Sequence, residues 1–228
     1  MILSVIEPLK MILGWSPKSA CTSIKTGIME SVGIDCENIH KDFKSAFPDI
    51  TDVEIDPTNY LRVQLVRDPV KRFVSTITNR CLAIQHLPYP YMTTRNMLSM
   101  IHDCKLAENT DFFDGCFFSP NIKHHFKKQY KPVEWAWDHA FDVDQDLNRI
   151  FGFLSNRYGL PRASFGKLNV TKAPEERKEE FYGDTAFAHI GLKDLGKNRF
   201  NWVDENMVEM IKVVYEDDYK LIKEATKI

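Results

Sequence analysis

The densest chemistry in the chain lies in the segment Trp15-Ser-Pro-Lys-Ser-Ala-Cys-Thr-Ser-Ile-Lys25. Lys18 offers a mobile positive charge, and Thr22 and Ser23 add hydroxyl donors. The small residues Ser19, Ala20 and Cys21 let an anion approach the main chain closely. If this segment is a loop that leads into a helix, its N–H groups converge where the helix dipole favours negative charge. The pattern is not a Walker A loop. That loop needs GxxxxGK[ST], whereas here no glycine lies between Trp15 and Lys25 and the lysine precedes the small residues. A polar loop ending in an ordinary helix cap would use the same residue types.

A second segment, Leu65-Val-Arg-Asp-Pro-Val-Lys-Arg-Phe-Val-Ser75, places Arg67 where a strand should end. The carboxyl edge of an open α/β sheet is where ligands bind. Ser75 falls about two turns into the helix that should follow. An arginine and a serine in this arrangement can clamp one phosphate, with the guanidinium supplying a forked, charge-assisted contact. Alone, the pair also reads as an Arg67–Asp68 surface ion pair beside a solvated serine. Two anion sites at neighbouring strand ends would suit a ligand with two separated phosphates.

The elements that must position these residues are visible in the pattern. Met11–Trp15 is a short apolar run and is expected to be the first, buried strand. From Thr22 to about Val32, Ile24, Ile28 and Val32 recur at helical spacing, and Gly33 suits the helix end. Tyr60–Val66 is rich in β-formers and predicts an interior strand despite Arg62 and Gln64. Asp68-Pro69 supplies an N-cap and a first helical residue, so a helix carrying Phe73, Ile77, Leu82 and Ile84 should begin there. Two strand–loop–helix units in succession predict an α/β protein with a largely parallel sheet. Further helices are predicted over Thr94–Leu106, over Asp142–Tyr158 with Gly159 closing it, and over Asp204–Lys223. The polar stretch 173–201 is expected to be a loop-rich lid or excursion.

Composition narrows the class. The 228 residues carry 30 Lys and Arg against 32 Asp and Glu, a formal net charge of −2. At 43% hydrophobic and 27% charged residues, the chain can bury a core and is not a disordered one. The near-neutral balance argues against a dedicated nucleic-acid binder. No window approaches the roughly 20 apolar residues of a membrane-spanning helix. The apolar start is cut by Glu7, Pro8 and Lys10 and lacks a basic leader, so neither an anchor nor a signal peptide is expected. The five cysteines, Cys21, Cys36, Cys81, Cys104 and Cys116, are odd in number and contain no CxxC pair. Reduced thiols in a cytoplasm are the expectation, with no disulfide framework and no zinc site. Asn169-Val-Thr171 fits the glycosylation pattern, but that chemistry needs secretion.

Taken together, PKSACTS followed by VRDPVKRFVS resembles the carbohydrate-type branch of the PAPS-dependent sulfotransferases. PAPS, 3′-phosphoadenosine 5′-phosphosulfate, is a ligand with two separated phosphates, and PAP is its product. The resemblance implies that Lys18, Ser19, Ala20, Cys21, Thr22 and Ser23 bind the 5′-phosphosulfate. It also implies that Arg67 and Ser75 hold the 3′-phosphate. His125-Phe-Lys-Lys-Gln129 is similar to the family's His-aromatic-x-x-Gln segment, with Lys128 where proline is usual. Leu168-Asn-Val-Thr-Lys172 resembles the late Asn-containing loop, which puts Thr171 and Lys172 near the cofactor. The region from Phe141 to Leu160 resembles the helix after the His-aromatic-x-x-Gln segment, and Val214–Tyr219 the closing helix. The implied fold is a three-layer, P-loop-like α/β sulfotransferase fold with a central, mostly parallel sheet flanked by helices. It is expected to form one domain over residues 1–228.

The resemblance also implies a mechanism, in which an acceptor hydroxyl attacks sulfur in line and PAP leaves without a metal. Lys18 is then the cation at the developing negative charge. His40 lies upstream of the Arg-Asp-Pro motif, where some relatives carry a histidine base, and is the first candidate to take the hydroxyl proton. His125 is the second candidate and more naturally shapes the acceptor side. Glu30 and Glu37 stay open, because related enzymes also use glutamate. The expected acceptor is a hydroxyl-bearing molecule, a glycan by family default. Golgi members carry an N-terminal anchor and luminal disulfides, and neither is expected here.

Two further patches have two readings each. The basic run Lys123–Lys128 could face an acidic sugar or simply be solvated, and its adjacent histidines do not share a helix face as metal ligands would. Pro88–Met92 could stack on a sugar ring or form a rigid loop. The rival functions are a nucleotide-dependent kinase or NTPase and a non-catalytic PAP-binding module of the same fold.

Overall fold

The computed structural model describes residues 1–19, 21–78, 91–106, 125–144, 147–159, 181–187, 190 and 202–225. The expected features at Leu82, Ile84, Pro88–Pro90, most of 173–201, and Leu168–Lys172 lie outside them. The chain divides into two compact units. The first comprises residues 1–68, 129–170 and 220–228, and the second residues 69–128 and 171–219.

The first unit holds a four-stranded sheet of β1 (Ile2–Ile6), β2 (Met11–Trp15), β3 (Leu61–Val66) and β4 (His139–Asp142), in that order. β1 runs antiparallel to β2, with Ile2 opposite Trp15 and Ile6 opposite Met11. β2 and β3 are parallel, as are β3 and β4. The sheet is therefore mostly parallel, as expected, with one antiparallel edge. β1 is an addition to the sequence reading, which placed the first strand at Met11. Glu7, Pro8 and Lys10, read as interruptions of an apolar run, form the tight turn between two strands.

β3 is an interior strand, as is β2, and its Val63, Gln64, Leu65 and Val66 are all buried. Arg62 is accommodated by a two-pronged pair with Asp138, Nε to Oδ2 at 2.9 Å and Nη2 to Oδ1 at 2.5 Å. This partner holds the Asp138 carboxyl below the usual carboxylate range. Gly14 in β2 leaves room for Trp137, whose ring would lie 2.7 Å from any Cβ added there. Helices α1 (Cys21–Ser31) and α2 (Ile39–Ala46) follow β2. Ile24, Ile28 and Met29 of α1 join Met11, Leu13 and Leu65 of the sheet in one apolar core. Gly33 ends α1 at φ +71°, a conformation that suits glycine. After β4 comes α5 (Leu147–Tyr158), which adds Ile150, Phe151 and Leu154 to that core. The helix expected from Asp142 thus begins five residues later, because residues 139–142 pair with β3 as a strand.

The second unit is helical among its described residues, with α3 (Pro69–Thr76), α4 (Thr94–Leu106), α6 (Glu205–Val214) and the first part of α7 (Glu216–Ala225). Phe73, Ile77, Met97, Ile101, Met207 and Ile211 pack in its core. The helix expected over Asp204–Lys223 is two helices, because Tyr215 leaves helical geometry at φ −111° and ψ 30°. Its buried hydroxyl instead donates to the Phe126 carbonyl at 2.6 Å. Burial pushes that hydroxyl's pKa well above the ordinary value, which keeps it a donor.

Candidate active site

The loop between β2 and α1 is built in the first unit. Trp15 ends β2, and its indole N–H donates to Ser4 Oγ at 3.1 Å. Lys25, one turn into α1, is buried with its ammonium 3.4 Å from the centre of the Trp15 ring and 4.9 Å from that of Phe43. This cation–π stack ties the start of α1 to the end of β2. Between them the chain turns tightly, and Ser19 N–H donates to the Ser16 carbonyl at 3.2 Å.

Lys18 sits at the apex with φ +69°. A lysine gains nothing intrinsic from left-handed geometry, which costs about 1–2 kcal/mol in a residue with a Cβ. Strain of this kind collects at ligand-binding loops. Ser16 Oγ, at the base of the turn, is buried with no hydrogen-bond partner among the described residues. An orphaned buried hydroxyl beside a strained turn is what a ligand would satisfy.

Arg67 leaves the carboxyl end of β3 beside this loop. Its Nη1 donates to the Lys18 carbonyl at 2.7 Å. Its Nε faces both carboxylate oxygens of Asp144, at 3.2 and 3.3 Å. Asp144 follows β4, and its N–H is held by Asp142 Oδ1 at 2.9 Å. Gln129 completes the arrangement. Its Oε1 accepts from Arg67 N–H at 2.9 Å and from Ser19 Oγ at 3.0 Å, while its Nε2 donates to the Arg67 carbonyl at 2.7 Å. The ends of β2, β3 and β4 thus meet around one cation-rich loop, at the edge where open α/β sheets bind ligands.

The other expected residues fall as follows. Cys21 opens α1, Thr22 is half-buried in its first turn and Ser23 is buried. Ala20, Thr171 and Lys172 lie outside the described residues. His40, the first candidate base, is exposed in the first turn of α2, which Asn38 caps by accepting from Lys41 N–H at 3.2 Å. Glu30 and Glu37 are exposed in the same unit.

In the second unit, Ser75 is buried on α3. Its neighbour Arg72 is more deeply placed and went unread in the sequence. Arg72 donates to the carbonyls of His125 and Lys127, at 3.0 and 2.8 Å, and to Asp218 Oδ2 at 3.3 Å. The side chains of this ion pair are 2% and 0% exposed. His125, expected on the acceptor side, is only 5% exposed, and its carbonyl is one of the groups that hold Arg72. Gln129 and Asp144 were also unread as site residues. Gln129 had a signal in the His-aromatic-x-x-Gln pattern, whereas Asp144 was hidden inside a supposed helix.

A family model described as the Sulfotransferase family matches residues 5–223. The chain belongs to the sulfotransferase family. Searches of curated proteins and of solved structures return no match. The match spans both units and contains every segment that carried the resemblance. Membership makes sulfuryl transfer to an acceptor the activity class of this enzyme, and the mixed α/β architecture with its central sheet fits that fold. Among the described residues no helix is long and apolar enough to cross a membrane, and no group of three or more His, Cys, Asp or Glu is placed to hold a metal ion.

Proposed function

We propose that this sulfotransferase takes its sulfuryl group from PAPS and moves it to a hydroxyl, on a carbohydrate by family default. The observation that carries the reading is the strained Lys18 turn locked to Arg67 at neighbouring strand ends. It is supported by the orphaned Ser16 hydroxyl, which gives a donor substrate's anionic oxygen a partner. PAPS supplies the activated sulfuryl group. The acceptor oxygen forms a bond to sulfur as the bond from sulfur to the bridging phosphate oxygen breaks. That electron pair stays on PAP, and Lys18 neutralises it. Preorganised charge at such a position is worth about 10²–10³ in rate.

His40 is proposed as the base that receives the acceptor proton, a role worth about 10²–10⁴. Arg67 Nη2, which makes no hydrogen bond among the described residues, is proposed to meet the 3′-phosphate. The resemblance assigns Ser75, Thr171 and Lys172 to the donor as well. The free thiols of Cys36 and Cys104 support action in a reducing compartment such as the cytoplasm.

The test is transfer from labelled PAPS to a panel of glycans and small hydroxyl compounds, read by mass spectrometry. Lys18→Ala should cut transfer by about 10²–10³ with PAP still bound, and His40→Ala should cut it without weakening PAP. An unchanged rate in Lys18→Ala would remove lysine from the chemistry.

A further inference from the structure

The amide of Gln129 has one orientation open to it. The main-chain N–H of Arg67 can only donate and lies 2.9 Å from Oε1. The Arg67 carbonyl can only accept and lies 2.7 Å from Nε2. These two fixed polarities settle which end of the amide is oxygen. Ser19 Oγ lies 3.0 Å from that same oxygen. A carbonyl oxygen carries no proton, so the single hydroxyl hydrogen of Ser19 points at Gln129. Ser19 and Gln129 are 0% and 1% exposed, so water does not compete for it.

We propose that Ser19 is a positioning residue: its hydroxyl proton is committed to Gln129 and is not offered to the 5′-phosphosulfate. Gln129 acts as a clamp that fixes the anion loop against the carboxyl end of β3. The bond from Arg67 Nη1 to the Lys18 carbonyl is a second tie across the same gap. Anion contacts from the loop then come from its N–H groups, the Lys18 ammonium and the remaining hydroxyls. What the clamp positions rests on the PAPS reading, whereas the clamp itself belongs to the ligand-free chain.

A double-substitution cycle of Ser19→Ala and Gln129→Met tests it in two ways. In ligand-free thermal unfolding, each single change should lower Tm by about 2–4 °C, and the pair should fall little further than Gln129→Met alone. Additive losses would overturn the clamp. In PAP titration, Ser19→Ala should weaken binding about 3- to 10-fold but have no further effect once Gln129 is changed. A hydroxyl that touches the phosphate directly would give the same loss in both backgrounds and overturn the assignment.

Gln129→Glu adds a signature that packing alone does not give. Its carboxylate cannot donate to the Arg67 carbonyl, but its protonated form can. The ratio of its PAP Kd to that of the wild type should therefore fall towards one from about pH 8 to about pH 5. A flat ratio contradicts the clamp. If the wild type binds no PAP, the PAPS reading fails, and the ligand-free cycle still decides the clamp.

Discussion

Replacing Lys18 by glycine and, separately, by alanine isolates the strain stored in the loop between β2 and α1. Both changes remove the same ammonium, so its charge and contacts cancel in the comparison. What differs is the Cβ, which alanine keeps at φ +69° and glycine lacks. Left-handed geometry costs a residue with a Cβ about 1–2 kcal/mol. Glycine returns about 0.4–1 kcal/mol of that through its freer unfolded chain. The balance favours Lys18→Gly over Lys18→Ala by about 1 kcal/mol, or about 2–4 °C in Tm for a chain of this size. Lys44, exposed on α2, is the control. There the order should reverse by about 1 kcal/mol, because glycine weakens ordinary helix. The assay is calorimetric or fluorescence-monitored unfolding of the four variants without ligand. If Lys18→Ala melts at or above Lys18→Gly, the loop does not hold Lys18 in the left-handed region, and the argument from stored strain fails. Both Lys18 variants should lose sulfuryl transfer alike, so the glycine form should be the more stable of two inactive proteins.

Two further outcomes follow from the ion pairs. Asp218→Asn leaves the Arg72 charge buried without its counter-ion, a loss of about 3–5 kcal/mol, or about 6–20 °C in Tm. The joint change Arg72→Met with Asp218→Leu should recover most of it, and a drop under about 2 °C in the single variant contradicts the burial described. The Asp138 carboxyl is lowered by its Arg62 partner, so its stabilisation is complete above the unfolded carboxylate value of about 3.9 and is lost as pH falls through the lowered folded value. The Tm gap between wild type and Asp138→Asn should therefore be steady near neutrality and close on acidification, and a gap that widens in acid would reverse the sign.

The loop and β3 were legible because each joins an apolar run to a helix through residues of distinctive chemistry, Lys18 and the Arg67-Asp-Pro turn. β4 was not, because His139–Asp142 is only four residues long and precedes the strong helical spacing of Ile150, Phe151 and Leu154. α2 escaped because it is only eight residues long, so its apolar face, Ile39, Phe43 and the capping Phe47, amounts to two turns. β1 was masked by its own turn. The role of Gln129 is a tertiary fact, since its contacts join residues 62 and 110 positions apart. Sequence spacing carries no signal at that range. The two-pronged contact to Arg67 backbone atoms also looks like any polar residue until the strands are in place.

The most direct measurement is calorimetric titration of the protein with PAP in the presence of a chelator, beside ATP with magnesium. The sulfotransferase reading predicts saturable, metal-independent PAP binding that Arg67→Ala weakens at least about tenfold, the loss of one charge-assisted contact, with no comparable binding of ATP. Binding of ATP with magnesium and none of PAP would contradict it.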